Sequence, residues 1–188
     1  MLLSTAEDIA KFVEELKKET DRGLPLVSAA FIDDRLLETL RSFFREAPSA
    51  VRLLDGGNAA LGTLSSRADA CHALGLIDEY EHTQISIIRK IRNEFAHAKH
   101  GISFQADRIQ SLCLNLKSAS DNQGDQLVGD GRSRFMGAVL TIVLRLYHRP
   151  DWMALERCRS KDWDQLSPAI KQAWENGLLL LTVPDQEV

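Results

Sequence analysis

Between Arg89 and His97 the chain gathers side chains suited to handling a phosphate, in the run RKIRNEFAH. At 3.6 residues per turn, Arg89, Asn93 and His97 fall at i, i+4 and i+8 and share one helical face, with Arg92 beside it. A guanidinium, a carboxamide and an imidazole can together hold a phosphate and move a proton, the minimum for metal-free RNA cleavage. The plainer reading is that cationic groups in the last turn of a helix stabilise the negative end of its dipole. On these residues alone the plainer reading is preferred.

Asp33 and Asp34 form the second constellation, an acidic pair set among Ala30, Phe31, Leu36 and Leu37, which leaves at least one carboxylate near an apolar face. A charge there costs several kcal/mol unless it is paired, and Arg67, Arg89 or Arg92 can provide a two-pronged partner. The expectation is a structural ion pair from Asp33 or Asp34 to Arg89 or Arg92 across two packed helices. A metal site is disfavoured, because adjacent helical residues diverge by about 100°. The candidate binding residues are thus Asp33, Asp34, Arg67, Arg89, Arg92, Asn93 and His97. No metal and no cofactor is called for.

Other features are weaker. Arg132, Arg134, Arg145, Arg149, Arg157, Arg159 and Lys161 make the later part of the chain locally basic, which reads first as a solvated helix face and second as a surface for an anionic partner. Trp152, Trp163 and Trp174 recur every 11 residues and read as packing anchors before they read as a partner surface. Cys71, Cys113 and Cys158 are an odd, widely spaced set that suggests reduced thiols, without a disulfide framework or zinc knuckle. Walker A, GxGxxG, HExxH and GxSxG patterns are absent, as is an evident helix-turn-helix.

The elements that must position these groups are helical. Ser4 and Glu7 have capping-box spacing ahead of Ile9, Phe12, Val13 and Leu16, a helix expected to end near Thr20. Gly23 interrupts, Pro25 suits the first turn of a second helix, and Ala47-Pro48 stops it. Asp55 to Thr63 is turn chemistry that could line a site, and a short helix through Arg67, Cys71 and Leu74 follows, closed by Gly75. Asp78 and Glu81 open the helix that runs to His97. Asp107 is expected to cap the next, with Ile109, Leu112, Cys113 and Leu116 inward. Ser118 to Gly131 reads as a mobile loop, Arg132 to Leu146 as a helix closed by Pro150, and Ser167 to Leu179 as a last, weaker helix. Strand alternation is nearly missing, so the fold class is all-α: one helical bundle with a peripheral C-terminal helical extension, taken as a single domain over residues 1–188.

Composition bounds the rest. With 188 residues, 44% hydrophobic and 27% charged, the chain is long enough for one core without staples. A net charge of -4 argues against coating nucleic acid by bulk electrostatics, since phosphate contacts dominate that binding. The apolar run Gly177 to Val183 is far short of the ~20 residues of a membrane helix, and Glu7 and Asp8 interrupt any secretory leader. The expected location is the cytoplasm, with no membrane partner.

Two segments carry a resemblance. Across about Arg22 to Leu116 the chain resembles the MltR family, the bacterial mannitol operon repressor group, through Arg22 to Leu36 (RGLPLVSAAFIDDRL) and Ile88 to His97 (IRKIRNEFAH). The second segment is also similar to the Arg-x4-6-His motif of HEPN domains, in which a polar residue follows the arginine as Asn93 follows Arg92. The MltR resemblance implies an all-α transcriptional regulator of a carbohydrate operon, acting through a protein partner in transcription control, with direct DNA binding in doubt. The HEPN resemblance implies a helical bundle, often dimeric, in which Arg92 steadies a scissile phosphate, His97 assists proton transfer and Asn93 stands between them. The preferred reading is the non-enzymatic MltR-like repressor. The alternative is a metal-independent endoribonuclease or RNA-binding domain, and RNA or a second copy of the chain remains open as a partner.

Overall fold

The computed structural model describes residues 6–56, 58–98, 101–117, 130–161 and 168–176. These fall into two compact units, Met1–Cys158 and Arg159–Val188. The first contains α1 (Ala6–Lys18), α2 (Gly23–Phe43), α3 (Pro48–Leu54), α4 (Leu64–Ala73), α5 (Glu79–His97), α6 (Asp107–Cys113), α7 (Gly131–Leu146) and α8 (Arg149–Leu155). The second contains α9 (Pro168–Glu175). No strand occurs among the described residues, and the fold class is all-α.

α2 is the central element of the first unit, and its sequence shows why. Leu24, Ser28, Ile32, Leu36 and Leu40 follow one another at steps of four and are all fully buried. A stripe of that period lies along one side of a helix. Around it pack α4, α5, α7 and α8, with α1 and α3 at its flanks. α5 contributes Ile85, Ile88, Ile91 and Phe95 to the same core. Phe104 lies between Phe95 and Phe135, with ring centroids 4.9 and 5.5 Å away, so the segment after α5 is tied to α7.

Helix ends follow local chemistry where a side chain can reach the backbone. Asp78 accepts from the Glu81 N–H at 2.8 Å, and Glu81 reaches back to the Asp78 N–H at 2.9 Å, completing the expected capping box. Gly75, at φ +71°, ends α4: its N–H reaches the His72 carbonyl at 2.9 Å while Leu76 reaches Cys71 at 2.8 Å. Asp130 caps α7 through the Ser133 N–H at 2.8 Å, and that bond holds its carboxyl below the usual range.

Three expectations need correction. Pro48 does not merely stop α2; it is the first residue of a further short helix, α3. Pro150 likewise lies in the first turn of α8 instead of closing α7. In both cases the ring supplies a helical φ, and its missing N–H falls where no intrahelical acceptor exists. Asp107 is the first residue of α6 and not its cap, a position held by Ala106 without a side-chain bond. The Ser4 cap, residues 118–129 of the expected loop, Trp163, and Ser167 and residues 177–179 of the last helix lie outside the described residues.

Cys71 and Cys113 are buried and Cys158 is exposed, all three as free thiols. Burial pushes the Cys71 and Cys113 thiols up to about 12, from an ordinary value of 9.0. Alkylation of the native protein by iodoacetamide is expected to modify Cys158 rapidly, and all three only after denaturation. Because the raised thiols keep their protons longer folded than unfolded, stability is fully present below pH 9.0 and falls as pH rises toward about 12. Rapid native labelling of Cys71 would contradict this burial.

Candidate functional site

Three walls enclose an open groove of about 550 Å³ in the first unit. α2 supplies Leu26, Ala29, Ala30 and Asp33, at i, i+3, i+4 and i+7. α5 supplies Arg89, Arg92 and Asn93, at i, i+3 and i+4, the spacing of neighbours on one helix face. The third wall is the end of the turn-rich segment and the start of α4: Gly62, Thr63, Leu64 and Ser65. Gly62 is required there, because a Cβ would stand 2.9 Å from the Ala59 carbonyl oxygen.

The capping chemistry of α4 fixes that third wall. The Thr63 side chain accepts from the Ser66 N–H at 3.1 Å, and the Ser66 hydroxyl accepts from the Thr63 N–H at 3.2 Å. One turn on, Arg67 points back beneath the wall. Its Nε donates to the Leu61 carbonyl at 2.9 Å and its Nη1 to Asp33 Oδ2 at 2.6 Å. This is the partner of the acidic pair, and it corrects the expectation that Arg89 or Arg92 would fill that role. The reason lies in packing: Arg67 is buried where α4 meets α2, with 10% of its side chain exposed, so its charge needs a carboxylate there. Asp33 is itself 27% exposed, and its Oδ1 is buried without a hydrogen-bond partner. Asp34, next along the helix, is exposed and does not line the groove.

On the α5 wall, Arg92 is exposed and its Nη1 donates to Asn93 Oδ1 at 3.0 Å. Arg89 and Asn93 are half-buried. His97 is the last residue of α5, exposed, and not among the groove's lining residues. Arg92 and His97 are five residues apart in a continuous helix, so they project about 140° apart around its axis. The same helix end receives Arg22, whose Nη2 donates to the Ala96 carbonyl at 3.4 Å. A cation there complements the helix dipole.

A chain of the X-ray structure of the MtlR–HPr complex from Escherichia coli is similar to this protein, at 22% identity and a TM-score of 0.48, covering 78% of this chain and 98% of that one. No family model matches the chain, and no curated protein matches it.

The basic stretch after residue 130 is largely occupied inside the first unit. Arg132 meets Asp21 at 2.8 Å and the Glu19 carbonyl at 2.5 Å, closing the end of α1. Arg145 and Arg149 both reach Glu81, at 3.0 and 2.8 Å, and Arg157 pairs with Glu46 while donating to the Ser42 carbonyl at 3.1 Å. Neither a solvated face nor an anion-binding surface describes these four. They are internal ties whose acceptors lie far away in sequence. Trp152 is exposed, with the Arg149 guanidinium 5.9 Å from its ring. Among the described residues, no group of three or more His, Cys, Asp or Glu side chains is gathered as for a metal ion, and no helix is long and apolar enough to cross a membrane.

Proposed function

We propose that this protein is an MltR-like transcriptional regulator of a carbohydrate operon, acting through contacts with another protein and not through chemistry of its own. One observation carries the reading. The two segments that bear the resemblance, Arg22 to Leu36 and Ile88 to His97, supply two walls of the same groove, through Leu26, Ala29, Ala30 and Asp33 on one side and Arg89, Arg92 and Asn93 on the other. Leu26, Ala30, Arg89, Arg92 and Asn93 thus border an accessible cavity, while Ile32, Leu36, Ile91 and Phe95 of the same two segments point into the core. The groove offers groups that bind, two guanidiniums and a carboxamide, while the imidazole that a nuclease would need for proton transfer stands outside its lining. The divergence of Arg92 and His97 around α5 likewise favours binding over cleavage within one chain.

The ribonuclease reading retains one observation in its favour: Arg92 is exposed and in no ion pair among the described residues, open to a phosphate. The two readings part at His97→Ala. In a bacterial strain lacking the gene, transcripts of a defined set of operons are expected to change and to return with either wild type or His97→Ala. Purified wild type and His97→Ala are expected to leave mixed cellular RNA intact in chelator. Metal-free cleavage by wild type alone, with restoration failing in His97→Ala, would establish the nuclease instead. HPr, which accompanies MtlR in the E. coli complex, is a defined protein for a first binding titration.

A further inference from the structure

The groove holds positive charge that no carboxylate among the described residues pairs with. Arg41, Arg67, Arg132, Arg145, Arg149 and Arg157 each hold a carboxylate. Arg89 and Arg92, three residues apart on the α5 wall, are in no ion pair among the described residues. Arg22, Arg35, Arg45 and Arg52 are likewise in no ion pair among the described residues, but Arg89 and Arg92 are two such arginines that line one cavity together, in a chain whose formal charge is -4. The groove's own carboxylate, Asp33, is already held by Arg67 at 2.6 Å, so it does not cancel them.

The neighbouring groups suit an oxyanion. Because Asn93 Oδ1 accepts from Arg92, the amide NH2 is left as a donor on the same face. Opposite stands the start of α4, a 10-residue helix whose first residues, Leu64 and Ser65, line the groove. First-turn N–H groups lack intrahelical acceptors and carry the positive end of the helix dipole. The Thr63 cap satisfies Ser66, one residue further on. Guanidinium pairs favour oxyanions that accept several bonds at once, and a dianion gains more from two of them than a monoanion does. The volume, about 550 Å³, is that of a small-molecule site.

The geometry points to a binding site for a phosphate dianion carried by a small molecule, a phosphate monoester seated between Arg89, Arg92 and Asn93 and the start of α4. This deepens the regulator reading and rests on it only for its purpose, that of an effector site. The binding itself is a property of the purified chain.

The test is calorimetric titration of the full chain with inorganic phosphate, glucose 6-phosphate and glucose, in low-chloride buffer at pH 7.5. Saturable binding of a phosphate compound, none of glucose, and at least a tenfold loss in the Arg89→Ala/Arg92→Ala double variant are expected. Arg52→Ala, an exposed arginine on α3 away from the groove, should stay within twofold of wild type. Arg89→Lys/Arg92→Lys keeps the charge without the planar fork and should fall between. Glucose 6-phosphate binding above inorganic phosphate assigns a phosphorylated metabolite; the reverse order assigns free phosphate. Absence of binding to either, or equal loss in Arg52→Ala, overturns the proposal, as does binding undiminished in a folded double variant. The transcript experiment is scored separately: unchanged transcripts would sink the regulator reading even if the phosphate titrates, and a failed titration would leave restored transcripts standing.

Discussion

Glu81→Gln is expected to destabilise the protein by about 2–4 kcal/mol, because it removes the buried carboxylate that Arg149, 15% exposed, and Arg145, 35% exposed, share. For a chain of this length that corresponds to a fall in Tm on the order of 10 °C, read by circular dichroism. Glu81 is fully buried at the start of α5 and joins three helices, α5, α7 and α8. Its Oε1 accepts from Arg145 Nε of α7 at 3.0 Å and from Arg149 Nη2 of α8 at 2.8 Å, and its Oε2 accepts from the Asp78 N–H at 2.9 Å. Arg149 also donates to the Leu76 carbonyl just after α4, and Arg145 to the Asp78 carboxylate. A glutamine can still accept at the cap, but it is neutral and offers one acceptor oxygen where the carboxylate offers two. The paired control is Glu79→Gln, two residues away in the same first turn. Its carboxylate is 80% exposed and meets His72 at 3.2 Å and the Thr83 hydroxyl at 3.4 Å, both at the surface, so a change within about 0.5 kcal/mol is expected. If Glu81→Gln matched Glu79→Gln, Asp78 for Arg145 and the Leu76 carbonyl for Arg149 would suffice to hold the two arginines, and the junction would not depend on the Glu81 charge.

The second large effect is at the floor of the groove. Arg67→Ala removes the partner of Asp33 and the donor to the Leu61 carbonyl together, and is expected to cost about 2–4 kcal/mol, less than a fully buried pair because Asp33 is partly solvated. Replacing both members by apolar residues, Arg67→Met with Asp33→Leu, should recover most of that loss, since neither charge is then stranded. The pair also bears on the anion site. With Arg67 gone, the Asp33 carboxylate becomes the nearest counter-charge for Arg89 and Arg92, so phosphate affinity should drop by about tenfold through charge competition alone. The double replacement restores stability and removes the competing carboxylate, so its affinity should return toward wild type. A double variant that regains stability but not phosphate binding would show that Arg67 contacts the ligand itself.

The contrast between these sites shows what could be read from the residues. The capping box at Asp78 and Glu81, the Gly75 exit of α4 and the shared face of Arg89 and Asn93 were all legible, because each depends on spacing within one or two turns of backbone. That Asp33 needs an arginine was legible too, from the cost of a charge beside an apolar face. Which arginine it takes was not. Arg67 is 34 residues away, and Arg89 and Arg92 satisfy the same chemical description. The basic stretch after residue 130 misled for a similar reason. Its acceptors, Asp21, Glu46 and Glu81, lie more than 60 residues earlier, so the stretch looked like free charge when it is mostly internal bracing.

Residue order alone dictates that this protein is all-α, where its best-capped helices begin and end, and that α5 presents Arg89 and Asn93 together. Those properties follow from helical periodicity and from short side-chain-to-backbone bonds, which any stretch of chain expresses locally. Long-range packing settles that Pro48 and Pro150 start helices, that Arg67 and not Arg89 or Arg92 neutralises Asp33, and that Arg92 enters a groove whose lining leaves out His97. Each of those outcomes depends on which distant segments pack side by side. Proline's ring is compatible with both ending one helix and opening the next, and several arginines are equally able to meet one carboxylate. The choice is made by burial: the arginine enclosed between α2 and α4 had to be paired, and the two on the open wall did not.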